Sequence, residues 1–313
     1  MRTRYVAYGL QLHSSFPLPG MTPQTAEVLP ALALELSSPH ELDACWSGPD
    51  GPPQWRGTLG DGADLTIERG TDGDTLFTYG KRARYRLDAP HRTLHCAPWQ
   101  DGLHWQQALL GRILPNVSLA SGYEALHASA VESPAGVVAV AASSGMGKTT
   151  LALELMQRGW PLFADDVLTL SLTPTGVRAH PGAPHMNIAG SVTETRALGT
   201  MLGTLAGERW VAARNTTRGD RPVRLVCLLE RGRHLHLRAE RLPSSPLPLA
   251  PYMLGLSSEA ERERHRFSLY AELMSSATLV TLEAGEADRP EELADLIERT
   301  LELDETAAHE VFS

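Results

Sequence analysis

Cysteine is scarce: three in 313 residues, Cys45, Cys96 and Cys227, no two of them close in the chain. An odd, dispersed set does not build a disulfide framework and predicts buried thiols in a reducing compartment. Positive charge is also short. Lys and Arg number 28 against 37 Asp and Glu, for a formal net charge of -9, which argues against a nucleic-acid partner. Long hydrophobic runs are missing. No window approaches the ~20 apolar residues needed to cross a bilayer, so no membrane partner is predicted. The opening Met1-Arg2-Thr3-Arg4-Tyr5 is not followed by a long apolar stretch, which predicts no signal peptide and a cytoplasmic location. Nor does the chain repeat itself.

What is present is enough apolar residue, 42% of the chain, for a sizeable core in one or two domains. The first hundred residues read as β-rich. Tyr5–His13, Leu32–Leu36, Asp64–Glu68, Thr75–Tyr79 and Arg84–Leu87 are short extended runs, separated by turn signals such as Gly60-Asp61-Gly62 and Asp72-Gly73-Asp74. Apolar spacing predicts a helix from Leu103 to about Leu119, kinked or ended at Pro115. The pattern then changes. Gly136–Ala142 is a nearly unbroken apolar run of the kind found in buried parallel strands. A helical pattern through Leu151, Ala152, Leu155 and Met156 follows, with Gly159 as its stop. Strands are predicted at Pro161–Leu172, Arg224–Glu230 and Thr278–Leu282, helices at Ser258–Ser275 and Pro290–Leu303, and a loop at Pro243–Pro251. Alternating strands and helices indicate an α/β class. Two regions result: a β-rich N-terminal region, 1–100, and an α/β domain, 101–313.

Between the apolar strand and the helix lies Ala142-Ser143-Ser144-Gly145-Met146-Gly147-Lys148-Thr149. The phosphate-loop pattern is a glycine, four residues, then Gly-Lys-Ser/Thr; here Ala142 stands at the first glycine. Gly145 and Gly147 sit where the backbone must curl to aim its N–H groups at phosphate oxygens. Lys148 supplies charge to the β- and γ-phosphates, and the Thr149 hydroxyl suits magnesium. The following helix points its positive dipole end at the same place. Ser144, Gly145, Met146, Gly147, Lys148, Thr149 and Thr150 are the expected nucleotide-binding residues, in what is called a Walker A loop.

One helix later comes Leu162-Phe163-Ala164-Asp165-Asp166-Val167. A strand ending in acid delivers carboxylates beside the loop, and adjacent acids in a strand point to opposite faces, one free for a metal and one for an attacking hydroxyl. Mutual repulsion raises one pKa, which suits a base. Upstream, His127 in Leu126-His127-Ala128-Ser129-Ala130-Val131 is placed to orient or pair with one of the acids, or to serve only the core.

These residues together resemble the catalytic core of HPr kinase/phosphorylase. The run Leu126–Val131, then Ser144-Gly145-Met146-Gly147-Lys148-Thr149-Thr150-Leu151-Ala152, Arg158-Gly159-Trp160 and Ala164-Asp165-Asp166 carry the likeness over about 45 residues. It is closer still to the HPr-kinase-like proteins of bacterial peptide-modification clusters, lasso-peptide kinases among them. Their opening is similar to Tyr8-Gly9-Leu10-Gln11-Leu12 with Phe16-Pro17-Leu18-Pro19. The resemblance implies a P-loop-containing core related to phosphoenolpyruvate carboxykinase, with ATP, or GTP in its place, and Mg2+. It places nucleotide and metal on Lys148 and Thr149, base and metal roles on the Asp165/Asp166 pair, and His127 beside them. Asp165 is expected as the base and Asp166, with Thr149, as the metal side. The chain departs from the family at Ala142 and at Glu194-Thr195-Arg196-Ala197-Leu198-Gly199, where HPr enzymes carry Glu-x-Arg-Gly-Leu-Gly. Ser191-Val192-Thr193-Glu194 reads instead as a helix capping box. This argues against phosphorylase activity and against HPr as the substrate.

Other features are weaker. Arg231-Gly232-Arg233-His234-Leu235-His236-Leu237-Arg238 reads as a solvated strand face rather than a His-x-His metal site. Arg209, Arg214, Arg218, Arg221 and Arg224 are candidates for an arginine facing the γ-phosphate. Pro181-Gly182-Ala183-Pro184-His185 is a rigid turn, read as acceptor-pocket wall or plain loop. The expected function is an ATP-dependent kinase whose partner is a peptide or protein carrying an acceptor Ser or Thr. The alternatives are a kinase for a small hydroxylated substrate, and a nucleotide-binding regulatory protein with little turnover. A homo-oligomer is compatible with all three.

Overall fold

The computed structural model describes residues 2–25, 29–59, 62–189, 198–205, 207–232, 237–255, 260–285 and 287–311. Strands β1 Thr3–Ala7, β2 Leu10–Ser14, β3 Ala31–Leu36, β4 Trp55–Thr58, β5 Asp64–Arg69, β6 Thr75–Tyr79, β7 Ala83–Asp88 and β8 Thr93–Pro98 form one sheet in the order β1-β2-β3-β8-β7-β6-β5-β4. The run Tyr5–His13 is therefore two strands. Tyr8 (φ 56°) and Gly9 (φ 74°) turn the chain back on itself. Between β3 and β4, helix α1 Pro39–Cys45 opens with a capping box in which Ser38 and Glu41 satisfy each other's backbone N–H.

Behind this sheet runs one continuous helical stretch: α2 His104–Ala108, a π-turn Leu109–Ile113, and α3 Leu114–Ala120. Pro115 directly follows the π-turn, and the Tyr8 hydroxyl rather than a Pro115 N–H reaches the Leu110 carbonyl, so the helix is neither broken nor ended there. Leu109, Leu110, Ile113, Leu114 and Val117 bury against the first sheet in one cluster.

The remaining chain supplies β9 Glu124–Leu126, β10 Ala128–Ser133, β11 Gly136–Ala141, α4 Lys148–Gln157, β12 Leu162–Ala164, β13 Leu168–Thr173 and β14 Gly176–His180. It continues with β15 His185–Ala189, β16 Gly199–Leu205, β17 Glu208–Ala213, β18 Arg221–Gly232, β19 Arg238–Arg241 and β20 Met253–Leu254. It ends with α5 Ala260–Ser276, β21 Thr278–Gly285 and α6 Pro290–Val311. Strands β11, β18 and β21 run parallel at the heart of a ten-stranded mixed sheet, while β15, β17 and β16 make a smaller one. The architecture is thus mixed α/β with several sheets.

Strand alternation explains the layering. Val138 and Val140 of β11 and Leu225, Cys227 and Leu229 of β18 face α4 and α6. Val137, Ala139 and Ala141, with Val226 and Leu228, face α5. Both faces are covered, which is why these strands read as unbroken apolar runs rather than alternating ones. Gly136 (φ 133°) starts β11 at a crowded point: a methyl group there would lie 2.8 Å from the Pro222 carbonyl oxygen. Gly159 (φ 96°) ends α4 as expected from sequence. Residues 247–252 of the proline-rich loop form a 3-10 turn. The string Glu194–Ala197 with its capping box, His234 and His236, the Gly60-Asp61 turn and the first residues of the Ser258–Ser275 helix lie outside the described residues.

Two buried histidines make stability depend on pH. The Nε2 of His185 lies 2.6 Å from the Pro19 carbonyl, and that of His180 lies 2.8 Å from the Ser171 hydroxyl. Burial pushes both down to about 4. In the unfolded chain they titrate near 6.5. The folded state therefore binds fewer protons between these values, and stability, fully present above about pH 6.5, falls as pH drops toward about 4. Each should cost about 2 kcal/mol between pH 7 and pH 5. Denaturant midpoints at the two pH values check this. His185→Gln should flatten the slope, and an unchanged slope would refute the assignment.

Candidate functional site

The loop between β11 and α4 has the backbone that its two glycines allow. Gly145 takes φ 79° and Gly147, the residue before the helix, φ 99°. A side chain at either would be strained, which is why the motif reads so clearly in sequence. The N–H groups of the first turn of α4 open on a cleft of about 460 Å³. From the loop and helix, Ser144, Gly145, Gly147, Lys148, Thr149 and Thr150 line it. Met146 instead packs its side chain into the core beside α4.

The Lys148 ammonium lies 2.8 Å from the Ala142 carbonyl and 3.1 Å from His127 Nε2. Burial lowers the pKa of Lys148. It also lowers that of His127, where Asp166 pulls the other way. The other ring nitrogen of His127, Nδ1, lies 2.9 Å from the Asp166 carbonyl oxygen. His127, placed between β9 and β10, so bridges the loop lysine and the acid pair.

The two acids are not in a strand, as the sequence suggested. They occupy the turn between β12 and β13, where Asp166 is left-handed at φ 70°. The turn removes the strict alternation of a strand, and both residues line the same cleft. Asp165 Oδ1 accepts hydrogen bonds from the Ser129 hydroxyl (2.7 Å) and the Thr149 hydroxyl (3.0 Å). Its Oδ2 accepts from the Asn187 backbone N–H at 3.3 Å. Burial, helped by the adjacent Asp166 charge, pushes Asp165 up to about 6. Burial works the same way on Asp166, but the summed pull of Arg112, His127 and Lys148 exceeds it and holds that carboxyl below the usual range. Arg112 Nη1 donates to Asp166 Oδ2 at 2.6 Å.

The chain matches no protein-family model and no curated protein sequence. Among solved structures, the Hpr(Ser) kinase/phosphatase from Coxiella burnetii is similar at a TM-score of 0.34 and 14% identity, over 60% of this chain and 97% of that chain.

The cleft thus brings together His127, Lys148, Thr149, Asp165 and Asp166, from three separate segments. Hydroxyl and carboxylate oxygens are hard donors of the type that Mg2+ accepts. Among the described residues no group of three or more His, Cys, Asp or Glu is arranged to hold a metal. A magnesium ion here would therefore depend on phosphate and water for most of its ligands, as it ordinarily does in nucleotide sites.

Sequence reasoning missed Arg112, Gln107, Ser129 and Asn187. Among the described residues, none of Arg209, Arg214, Arg218, Arg221 and Arg224 lines the cleft. Arg221 pairs with Glu132, and Arg209 reaches the Ala189 carbonyl. The Pro181–His185 turn faces the other way: Pro181 accepts from the Tyr8 N–H and His185 bonds Pro19, so it braces the first sheet rather than walling the cleft. That wall is made by Thr58, Leu59 and Tyr79 of the first sheet and by Asn187, Ile188 and Ala189 of β15.

Proposed function

We propose that the chain is a kinase of the HPr-kinase-like type, moving the γ-phosphoryl group of ATP to a hydroxyl, with a Ser or Thr of a peptide or protein as acceptor. One observation carries this reading: a glycine-shaped loop at a helix N-terminus, its lysine and threonine, a histidine and two acids of opposite pKa shift all face one cleft. Paired acids pushed apart in pKa mark acid–base division of labour.

The loop N–H groups and Lys148 hold the β- and γ-phosphates. Asp165, raised to about 6, has the proton affinity of a base near neutral pH. A bond forms from the acceptor oxygen to the γ-phosphorus while the bond from that phosphorus to the β–γ bridging oxygen breaks. The electron pair stays on ADP and the hydroxyl proton passes to Asp165. Asp166, kept ionised, and Thr149 are the residues to hold Mg2+, which supplies charge neutralisation on the phosphates. His127 spans Lys148 and Asp166 and fixes their spacing.

The outer wall supports a peptide acceptor. Strand β15 has β17 as its one strand neighbour among the described residues, and its other side borders the cleft. An edge strand beside the reacting groups, its Asn187 N–H already given to Asp165, is suited to wall an extended peptide. Incubation with γ-labelled ATP, magnesium and Ser/Thr peptides, including any precursor peptide encoded nearby, should move label onto a serine or threonine. Label found only on sugars, amino acids or other small hydroxyl compounds would overturn the peptide acceptor and leave the kinase.

A further inference from the structure

Arg112 stands out because nothing in its sequence surroundings announces it. It lies on the cleft-facing side of the helical stretch behind the first sheet, with Gln107, Ala108 and Gly111. Every other residue of that face is small or neutral. Gly111 is a helix-interior glycine, which costs roughly 0.5–1 kcal/mol relative to alanine. A methyl group built there would meet nothing within 4 Å beyond its own helix, so no neighbour demands the glycine.

The arginine is held in place by irregular backbone. The segment Leu109–Ile113 is a π-turn, in which the Leu114 N–H reaches back to the Leu109 carbonyl. Such turns redirect side chains and gather at functional sites. Next in register would be a bond to the Leu110 carbonyl, which Pro115, having no N–H, does not make. The Tyr8 hydroxyl supplies it instead at 2.8 Å, and the Asn116 side chain caps the Arg112 carbonyl at 2.7 Å. Tyr8 is tied down in turn: its carbonyl accepts from Ser118 and its N–H donates to Pro181. The first sheet thus braces the segment that presents Arg112.

Arg112 also completes a line of contacts across the cleft, running from Lys148 to His127, to Asp166, and to the guanidinium at 2.6 Å. Two cations therefore flank the place where the phosphoryl group must travel. Arg231, which approaches Gly147, does not line the cleft, and its Nη1 donates to the Gly285 and Asp288 carbonyls.

We propose that Arg112 is the arginine of the transfer step: it pairs with Asp166 before the nucleotide arrives, and its planar fork then faces the oxygens of the transferring phosphoryl group. The proposal rests on the kinase reading of this cleft. As the acceptor–phosphorus bond forms and the bond to the bridging oxygen breaks, negative charge gathers on those oxygens and on the ADP leaving oxygen. Arg112 offsets that charge and keeps all its protons. An arginine in this role is worth about 10³ or more in rate.

The test uses the full chain with labelled ATP, magnesium and a mixture of Ser- and Thr-containing peptides, and also follows phosphate release to water. Arg112→Ala should lower kcat by about 10³ while ATP affinity by calorimetry stays within about tenfold, because the contact is made in the transition state. Free guanidinium or methylguanidinium should restore part of the lost rate. Arg112→Lys, which keeps the charge but not the fork, should restore less than its charge alone suggests. If Arg112→Ala is poorly folded, the lysine variant and the rescue series decide. Near-normal kcat in either arginine variant would overturn the proposal, as would loss of rate without any guanidinium rescue in a folded protein. A wild-type chain that turns over no ATP with peptides or water would remove the kinase reading itself, which is a different result from an active wild type with an active Arg112→Ala.

Discussion

Lys148→Ala is expected to abolish measurable ATP binding while the chain remains folded. The lysine is 6% exposed, and its ammonium is spent on the Ala142 carbonyl and His127. Neither contact holds an element in place: Ala142 is at the exit of a strand already paired on both sides, by β10 and β18. Alanine is also the best helix former for the first turn of α4. Stability should therefore change little. Binding should not survive so easily. Charge-assisted hydrogen bonds to phosphate are worth about 1.5–3 kcal/mol each, and a loop lysine makes more than one. A loss of roughly 100-fold or more in affinity follows. Isothermal calorimetry with ATP and magnesium checks it, beside a thermal melt. Unchanged affinity in a folded Lys148→Ala protein would remove the phosphate-loop assignment and the kinase reading with it.

The parts of this site that sequence made legible are those whose signal is local. A buried strand, two glycines at positive φ and a helix follow one another without a gap, and each step constrains the next. Asp165 and Asp166 are one helix away and announce themselves by an apolar run ending in acid. Their geometry was less legible. A strand would put them on opposite faces, but Asp166 at φ 70° turns the chain and aims both into one cleft, a torsion that no pattern of residue types marks. Arg112 was not legible at all. It is 54 residues from the acid it pairs with, inside a helical pattern that its charge does not disturb, and its direction depends on a π-turn. The five arginines that looked likelier from their polar setting are occupied elsewhere or away from the cleft. Strand β15 was missed because it borders the cleft on one side and has one pairing partner, so its burial alternates imperfectly.

Asp165→Asn and Asp166→Asn are expected to fail in different ways. Asp165→Asn should reduce kcat by about 10²–10⁴, the usual worth of a positioned base, and leave ATP affinity within about tenfold. Asn keeps the size of the side chain and still accepts a hydrogen bond from Ser129 or Thr149, so the pocket should hold its shape. Asp166→Asn should instead raise the magnesium concentration needed for half-maximal rate, because a neutral amide is a poorer partner for a hard cation. It should also remove the carboxylate that Arg112 Nη1 bonds. Steady-state rates across a magnesium titration separate the two. The geometry gives a reason to watch for the reverse. The hydroxyl assigned to the metal, Thr149, touches Asp165 and not Asp166. If Asp165 were the metal acid, Asp165→Asn would shift the magnesium titration and Asp166→Asn would lose rate at every magnesium level. That outcome would exchange the two roles and keep the chemistry. The pKa directions favour the first order. Asp165, raised to about 6 by burial and the Asp166 charge against the pull of its Ser129, Thr149 and Asn187 hydrogen bonds, has the proton affinity of a base, whereas Asp166, held low beside Arg112, has little to offer. Near-normal transfer in both variants would mean that neither carboxylate does chemistry.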